Sequence, residues 1–166
     1  ISKEGLEEIR EAIKKVNEKG LYPMLMVGYN RRFSKYTKKI KELLQSDMGP
    51  KSFNMTMNAG FITKDVWVHD MKIGGGRIIG EACHYFDLMV FLTGSKIKSV
   101  CMSALGANPS ENTDNASILV KMENGSSGVV NYFANGSKSY TKERLEVFSQ
   151  EKVLIILYTL HFFLIF

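Results

Sequence analysis

Cysteine is scarce: Cys83 and Cys101 are the two in 166 residues, and no Cys-x-x-Cys occurs. Two thiols without metal-like spacing exclude a zinc ribbon and leave free thiols in a cytoplasmic protein as the expectation, with no metal. "ISKEGLEEIREAIKK" is charged throughout, so this stretch is not expected to be a secretory leader. Position 1 is not methionine, so the sequence is expected to start inside a longer protein. There is no repeat, no low-complexity tract and no nucleic-acid-binding motif. The net charge of +5 gathers at Lys14, Lys15 and Lys19 and again from Arg31 to Lys41. Without such a motif it reads as a solvated face, and no nucleic-acid partner is expected. No apolar run reaches the ~20 residues of a spanning helix, so no membrane partner is expected either. The run that comes nearest, "KVLIILYTLHFFLIF" at the end, reads as a buried strand "KVLII" followed by a tail that belongs to no sheet.

What is present is a globular balance, 45% hydrophobic and 23% charged, in a length that suits one domain or one domain plus a piece of another. Ser2 is placed to cap a helix in which Leu6, Ile9, Ile13 and Val16 recur at helical spacing until Gly20. "YPMLMVGYN" reads as a buried strand. "SKYTKKIKELLQS" reads as a second helix with Tyr36, Ile40, Leu43 and Leu44 inward. Residues 50–59 alternate, with Phe53, Met55 and Met57 on one face of a half-buried strand. A long connection, 60–76, carries Trp67, His69 and Asp70, and long connections in compact domains are often functional. A helix follows over 77–93. Beyond it, "IKSVCMSAL", "NASILVKME", "SSGVVNYFA" and "KERLEVFSQ" are strand-like, and Asn124-Gly125 marks a hairpin. The second half therefore reads as an antiparallel sheet.

The helix over 77–93 follows three glycines in "GGGRIIGEACHYFDLMVFLTG". At about 100° per residue, Arg77, Glu81, His84 and Leu88 fall in one stripe, and apolar residues cover most of the rest. A helix apolar nearly all round is buried, and its ionisable groups must be paired or used. Arg77 and Glu81 stand as i,i+4 partners and can satisfy each other; the stripe is either a closed core network or one wall of an active site. The glycine run is not a GxGxxG fingerprint and follows a loop rather than a strand.

"VGYNRRF" at 27–33, followed by that glycine-led helix, resembles the glucose–fructose oxidoreductase / inositol dehydrogenase / MocA family of oxidoreductases over roughly residues 1–156. The resemblance implies an α+β fold: a mostly antiparallel open sheet with helices on one face, the C-terminal substrate domain of a Rossmann-type dehydrogenase. Residues 1–27 would be the last helix and strand of the Rossmann domain, 28–156 the substrate and oligomerisation domain, and 157–166 an aberrant apolar tail, as from a frameshift or premature end. The family's Glu-Lys-Pro lysine and its nucleotide fingerprint would lie before Ile1, so no cofactor-binding residue is assigned here, and NAD or NADP would be bound mainly by the missing N-terminal domain. The family's Asp-x-x-x-His motif aligns its histidine with His84 and its aspartate with Gly80, a departure for which Glu81 is the adjacent substitute. His84 and Glu81 are thus the implied catalytic residues. Asn30, Arg31, Trp67, His69 and Arg77 are the implied substrate-binding residues. The implied activity is hydride transfer to or from a sugar, nucleotide-sugar or polyol in a homo-oligomer joined through the sheet, the chain alone being inactive. A non-enzymatic oligomerisation or binding module on the same fold is the alternative.

Overall fold

The structure, a computed structural model, describes residues 2–157 together with 164 and 165. It opens with helix α1 (Lys3–Asn17), whose first turn is closed by Ser2: the Ser2 Oγ accepts from the Gly5 amide at 3.1 Å. The chain leaves the helix through Gly20, which takes the left-handed φ of +75°. No residue of α1 is buried.

The strand expected in "YPMLMVGYN" is not formed. Residues 21–29 carry no regular structure, and Leu21 to Val27 are exposed. An apolar run states that side chains want cover, but a strand also needs a neighbour for its amides and carbonyls, and no described strand lies beside it.

Helix α2 (Lys35–Leu43) is capped by Ser34, whose hydroxyl accepts from the Thr37 amide at 3.1 Å. It turns Ile40 and Leu44 into the core and half-buries Tyr36 and Leu43. Strand β1 (Ser52–Asn58) follows with Phe53, Met55 and Met57 inward, as the alternation requires. Strands β2 (Ile97–Ala104), β3 (Asn115–Met122), β4 (Ser127–Phe133), β5 (Glu143–Ser149) and β6 (Lys152–Leu157) complete the expected set. The β3–β4 turn closes at Asn124-Gly125, with Gly125 at φ +88°.

With the two-residue β7 (Leu164–Ile165), the sheet runs in the order β2-β3-β4-β1-β5-β6-β7. All neighbours are antiparallel except the central pair, β1 and β4, which run parallel from Ser52 opposite Ser127 to Asn58 opposite Phe133. The first strand of the sheet in sequence thus sits in its middle. The tail expected outside any sheet contributes β7, antiparallel to β6; an apolar segment satisfies its backbone most readily on an open strand edge. The rest of the tail lies outside the described residues. Among the described residues, no helix is long and apolar enough to cross a membrane.

One face of the sheet is covered. Helix α3 (Cys83–Thr93), ended by Gly94 in the left-handed conformation, lays Tyr85, Leu88, Met89 and Leu92 against Met55, Val120, Val130 and Val147, and α2 adds Ile40 and Leu44. Full burial of such a side chain contributes about 1.5–3 kcal/mol. The other face is open. A polar row crosses it: Ser117 donates to Asn131 (2.8 Å), Asn131 to Asn54 (3.4 Å), Asn54 to Glu146 (2.9 Å) and Arg144 to Glu146 (2.6 Å). Exposed Leu119 and Phe148 flank this row.

The helix expected over 77–93 is not uniform. Ile78–Ala82 form a π-helical turn before α3 begins. A π turn spans one more residue per hydrogen bond than an α turn, so the four-residue stripe drawn on a regular helix is broken. Arg77 and Leu88 point inward and are buried, whereas Glu81 and His84 are half-buried.

Candidate active site around His84

The "NRRF" segment (Asn30–Phe33) forms a 3₁₀ turn beside α3, and its two arginines are fixed by carboxylates far away in sequence. Arg31 forks onto Glu143 at the start of β5, Nη2 to Oε1 at 2.6 Å and Nε to Oε2 at 3.2 Å. Its guanidinium also lies 4.8 Å above the Tyr85 ring and donates to the Tyr85 hydroxyl at 3.4 Å. Arg32 forks likewise onto Asp87 of α3, with Nε 2.6 Å from Oδ2. Planar two-bond pairs of this kind fix orientation as well as charge. They pin the turn so that Tyr29 meets His84 edge-on, the rings 5.7 Å apart and 87° inclined.

His84 Nδ1 is buried and has no hydrogen-bond partner, which leaves Nε2 as the nitrogen that can meet a ligand. Burial holds the His84 pKa below its ordinary 6.5, and the nearby Arg31 charge acts in the same sense; Asp87, Glu143 and Glu81 oppose them. A half-buried imidazole that stays neutral at neutral pH is equipped to take a proton. On the turn that carries Tyr29, Asn30 and Arg31 with Ser34 and Glu143 line a hollow of about 260 Å³, and Met26 to Asn30 with Arg32, Phe33 and Asp87 line another of about 470 Å³; His84 lines neither.

The remaining candidates stand elsewhere. Arg77 is spent on the fold: Nη1 donates to the Gly60 carbonyl (2.8 Å) and reaches Asp114 (3.5 Å), Nη2 donates to the Ala59 carbonyl (3.2 Å), and Nε reaches Glu81 (3.4 Å). Glu81 is therefore joined to Arg77 and not to His84. The buried Tyr132 hydroxyl below it has its pKa raised, by burial first and then by the Glu81 charge. Trp67 is 63% exposed and does not pack in the core. His69 is buried on the same 3₁₀ turn (Trp67–His69), its carbonyl accepting from Asn112 at 3.2 Å. The structure thus puts Asn30 and Arg31 on one turn, joined to His84 through the neighbouring Tyr29 ring, with Glu81 and Arg77 as a separate pair and Trp67 and His69 on a separate loop. Glu143, Tyr29 and Asp87 were not singled out from the sequence. The signal for Glu143 was available: alternation in "ERLEVFS" puts it on the same inward face as Leu145 and Val147.

The glycine run serves chain geometry. A Cβ on Gly74 would lie 2.6 Å from the Trp67 carbonyl oxygen, and Gly75 and Gly76 hold φ of +71° and +84°. It makes a tight turn rather than a cradle for a pyrophosphate, and among the described residues no glycine-rich strand-to-helix turn offers one.

The GFO/IDH/MocA C-terminal domain profile matches residues 38–155. The chain belongs to this family. As a GFO/IDH/MocA C-terminal domain, it is 29% identical over 151 residues to an uncharacterized oxidoreductase, YrbE, of Bacillus subtilis (strain 168), covering 87% of this chain and 42% of that protein. Its fold matches an NAD-binding oxidoreductase from Klebsiella pneumoniae with a TM-score of 0.71 at 22% identity, covering 91% of this chain and 44% of the other. It also matches the WlbA dehydrogenase from Bordetella pertussis, solved with NADH and UDP-GlcNAcA, with a TM-score of 0.69 at 19% identity, covering 91% and 48%. This GFO/IDH/MocA domain therefore spans less than half the length of each of these relatives.

Proposed function

We propose that this chain is the substrate domain of an NAD(P)-dependent oxidoreductase acting on a hydroxyl or carbonyl of a sugar, nucleotide-sugar or polyol. The observation that carries the reading is His84: half-buried, its pKa lowered, one nitrogen closed off, and its ring against Tyr29 on the turn whose Asn30 and Arg31 line a polar hollow. Residues 28–156 form that domain in this reading, and residues 1–27, with their uncovered apolar run, belong with a nucleotide-binding domain. NAD or NADP, held by that other domain, supplies or accepts the hydride. The chain's own residues do the rest. Asn30 hydrogen-bonds the substrate hydroxyls. His84 Nε2 takes the proton of the reacting hydroxyl, or returns it in the reverse direction. The pair of Arg31 with Glu143 keeps the turn in place. Glu81 tunes the charge around His84 from its bond with Arg77.

The open sheet face supports assembly with a second copy. Its polar row is flanked by uncovered Leu119 and Phe148, the mixed character of an interface rather than of a solvated face. Sedimentation equilibrium showing a monomer at all concentrations would remove this part of the reading.

The test is a fusion of this chain behind the dinucleotide-binding half of the Bacillus relative, assayed by nicotinamide absorbance over a panel of sugars and polyols. His84→Ala lowers kcat by about 10²–10⁴-fold, the usual worth of an acid–base group, with a smaller change in KM. Because the His84 pKa is lowered, the acid limb of kcat/KM for alcohol oxidation falls below pH 6.5 rather than above it. Full turnover in His84→Ala with an unchanged melting temperature would falsify the assignment.

A further inference from the structure

The connection 60–76 and the turn before β3 enclose a hollow of about 240 Å³ that the His84 site does not use. The Arg77 guanidinium bonds both Asp114, which lines the hollow, and Glu81. His69 lines it too, is 6% exposed, and its Nε2 is buried without a hydrogen-bond partner. A bare buried nitrogen of this kind is unfavourable, and a ligand group could satisfy it.

Part of the lining is already committed. Asn115 accepts from the Ala134 and Asn135 amides and donates to Asp114, and the Asp114 charge is offset by Arg77. Lys64, His69 Nε2, Ser110, the Asn112 side-chain carbonyl and Asn135 are left to meet a ligand. Phe61, 65% exposed, adds an aromatic face at the mouth. A wholly apolar ligand would strand the amides and the imidazole. A bare anion would have Lys64 but would face the Asp114 carboxylate. A polyhydroxylated ring satisfies both kinds of wall, its hydroxyls meeting amide, hydroxyl and imidazole groups while its C–H face lies on Phe61. The volume, below the ~300–1,000 Å³ of drug-sized pockets, suits one such ring.

The geometry points to a second carbohydrate subsite here, holding a single sugar ring apart from the reacting centre. Given the proposed reaction, on which this further step rests, the substrate is a compound of more than one unit, oxidised at His84 and gripped at a second ring by His69 and Phe61.

The experiment is a ¹H–¹⁵N titration of the 166-residue chain with methyl β-D-glucopyranoside, D-xylose, D-glucuronate and myo-inositol. At least one sugar shifts the amides of Phe61, His69, Asn112 and Asn135 to saturation. Phe61→Ala, exposed and so harmless to the fold, raises that dissociation constant about tenfold. His69→Gln weakens it as well, while the β-sheet amide resonances stay in place. Shifts at the hollow without shifts at Tyr29 and His84 support the subsite and count against the His84 reading. Shifts confined to Tyr29, Arg31 and His84 overturn the subsite and leave that reading standing. No shift with any probe, or an unchanged dissociation constant in Phe61→Ala, overturns the subsite.

Discussion

Helices α1 and α3 both carry apolar residues at helical spacing, yet α1 buries none of them and α3 buries Tyr85, Leu88, Met89 and Leu92. The capping of α1 is no worse: Ser2 closes its first turn with a hydrogen bond, while α3 grows out of a π turn without a side-chain cap. The difference lies in what stands opposite. A sheet face lies under α3, whereas no residue of α1 is buried and the apolar residues from Leu21 to Val27 are exposed. Helix formation is local, but most helix stability comes from the packed face.

The comparison is sharpened most by Met89→Ala. Met89 is wholly buried between α3 and the sheet, so its truncation costs about 2–5 kcal/mol, read as a lower urea midpoint at unchanged slope. Next comes Gly74→Ala, where the added methyl group meets the Trp67 and Val68 backbone at 2.6 Å. We expect a loss of about 1–3 kcal/mol, with faster amide exchange confined to 66–76; exchange that stays uniform would mean the turn yields freely. A smaller effect follows acid. The Asp47 pKa is held below the ordinary 3.8, chiefly by its bond with Lys152. The folded value is the depressed one, so this contribution is complete above 3.8 and disappears as pH falls through the folded value. Lys152→Met should flatten the fall of melting temperature with acid in that window. Leu25→Ser, in the exposed apolar run, should change stability by no more than about 0.5 kcal/mol. A clear loss there would show that the run is packed after all and break the contrast between the two regions.

The strands β1 to β6 were legible because alternation and turn residues are local: Phe53, Met55 and Met57 announce an inward face, and Asn124-Gly125 a hairpin. The parallel pairing of β1 with β4 was not, since register between distant strands leaves no mark on either one alone. The same holds for the site. The place of His84 on its helix is a local matter, but the partner of Arg31 lies far off in sequence at Glu143. The stripe failed for a different reason. One π turn at Ile78–Ala82 moves the phase of everything before it, and "IIGEA" carries no local sign of it. "YPMLMVGYN" misled because apolar character records a need for cover and not its source.

The placement of β1 has a consequence in time. Its two neighbours, β4 and β5, are made long after it, with α3, β2 and β3 emerging in between. During synthesis the middle of the sheet must wait, its amides solvated and its methionines uncovered, until Ser127 to Ser149 arrive to flank it. Closing so long a loop carries an entropic cost before any contact rewards it. This chain should therefore fold slowly for its size, with the β3–β4 hairpin forming early and the docking of β1 setting the rate.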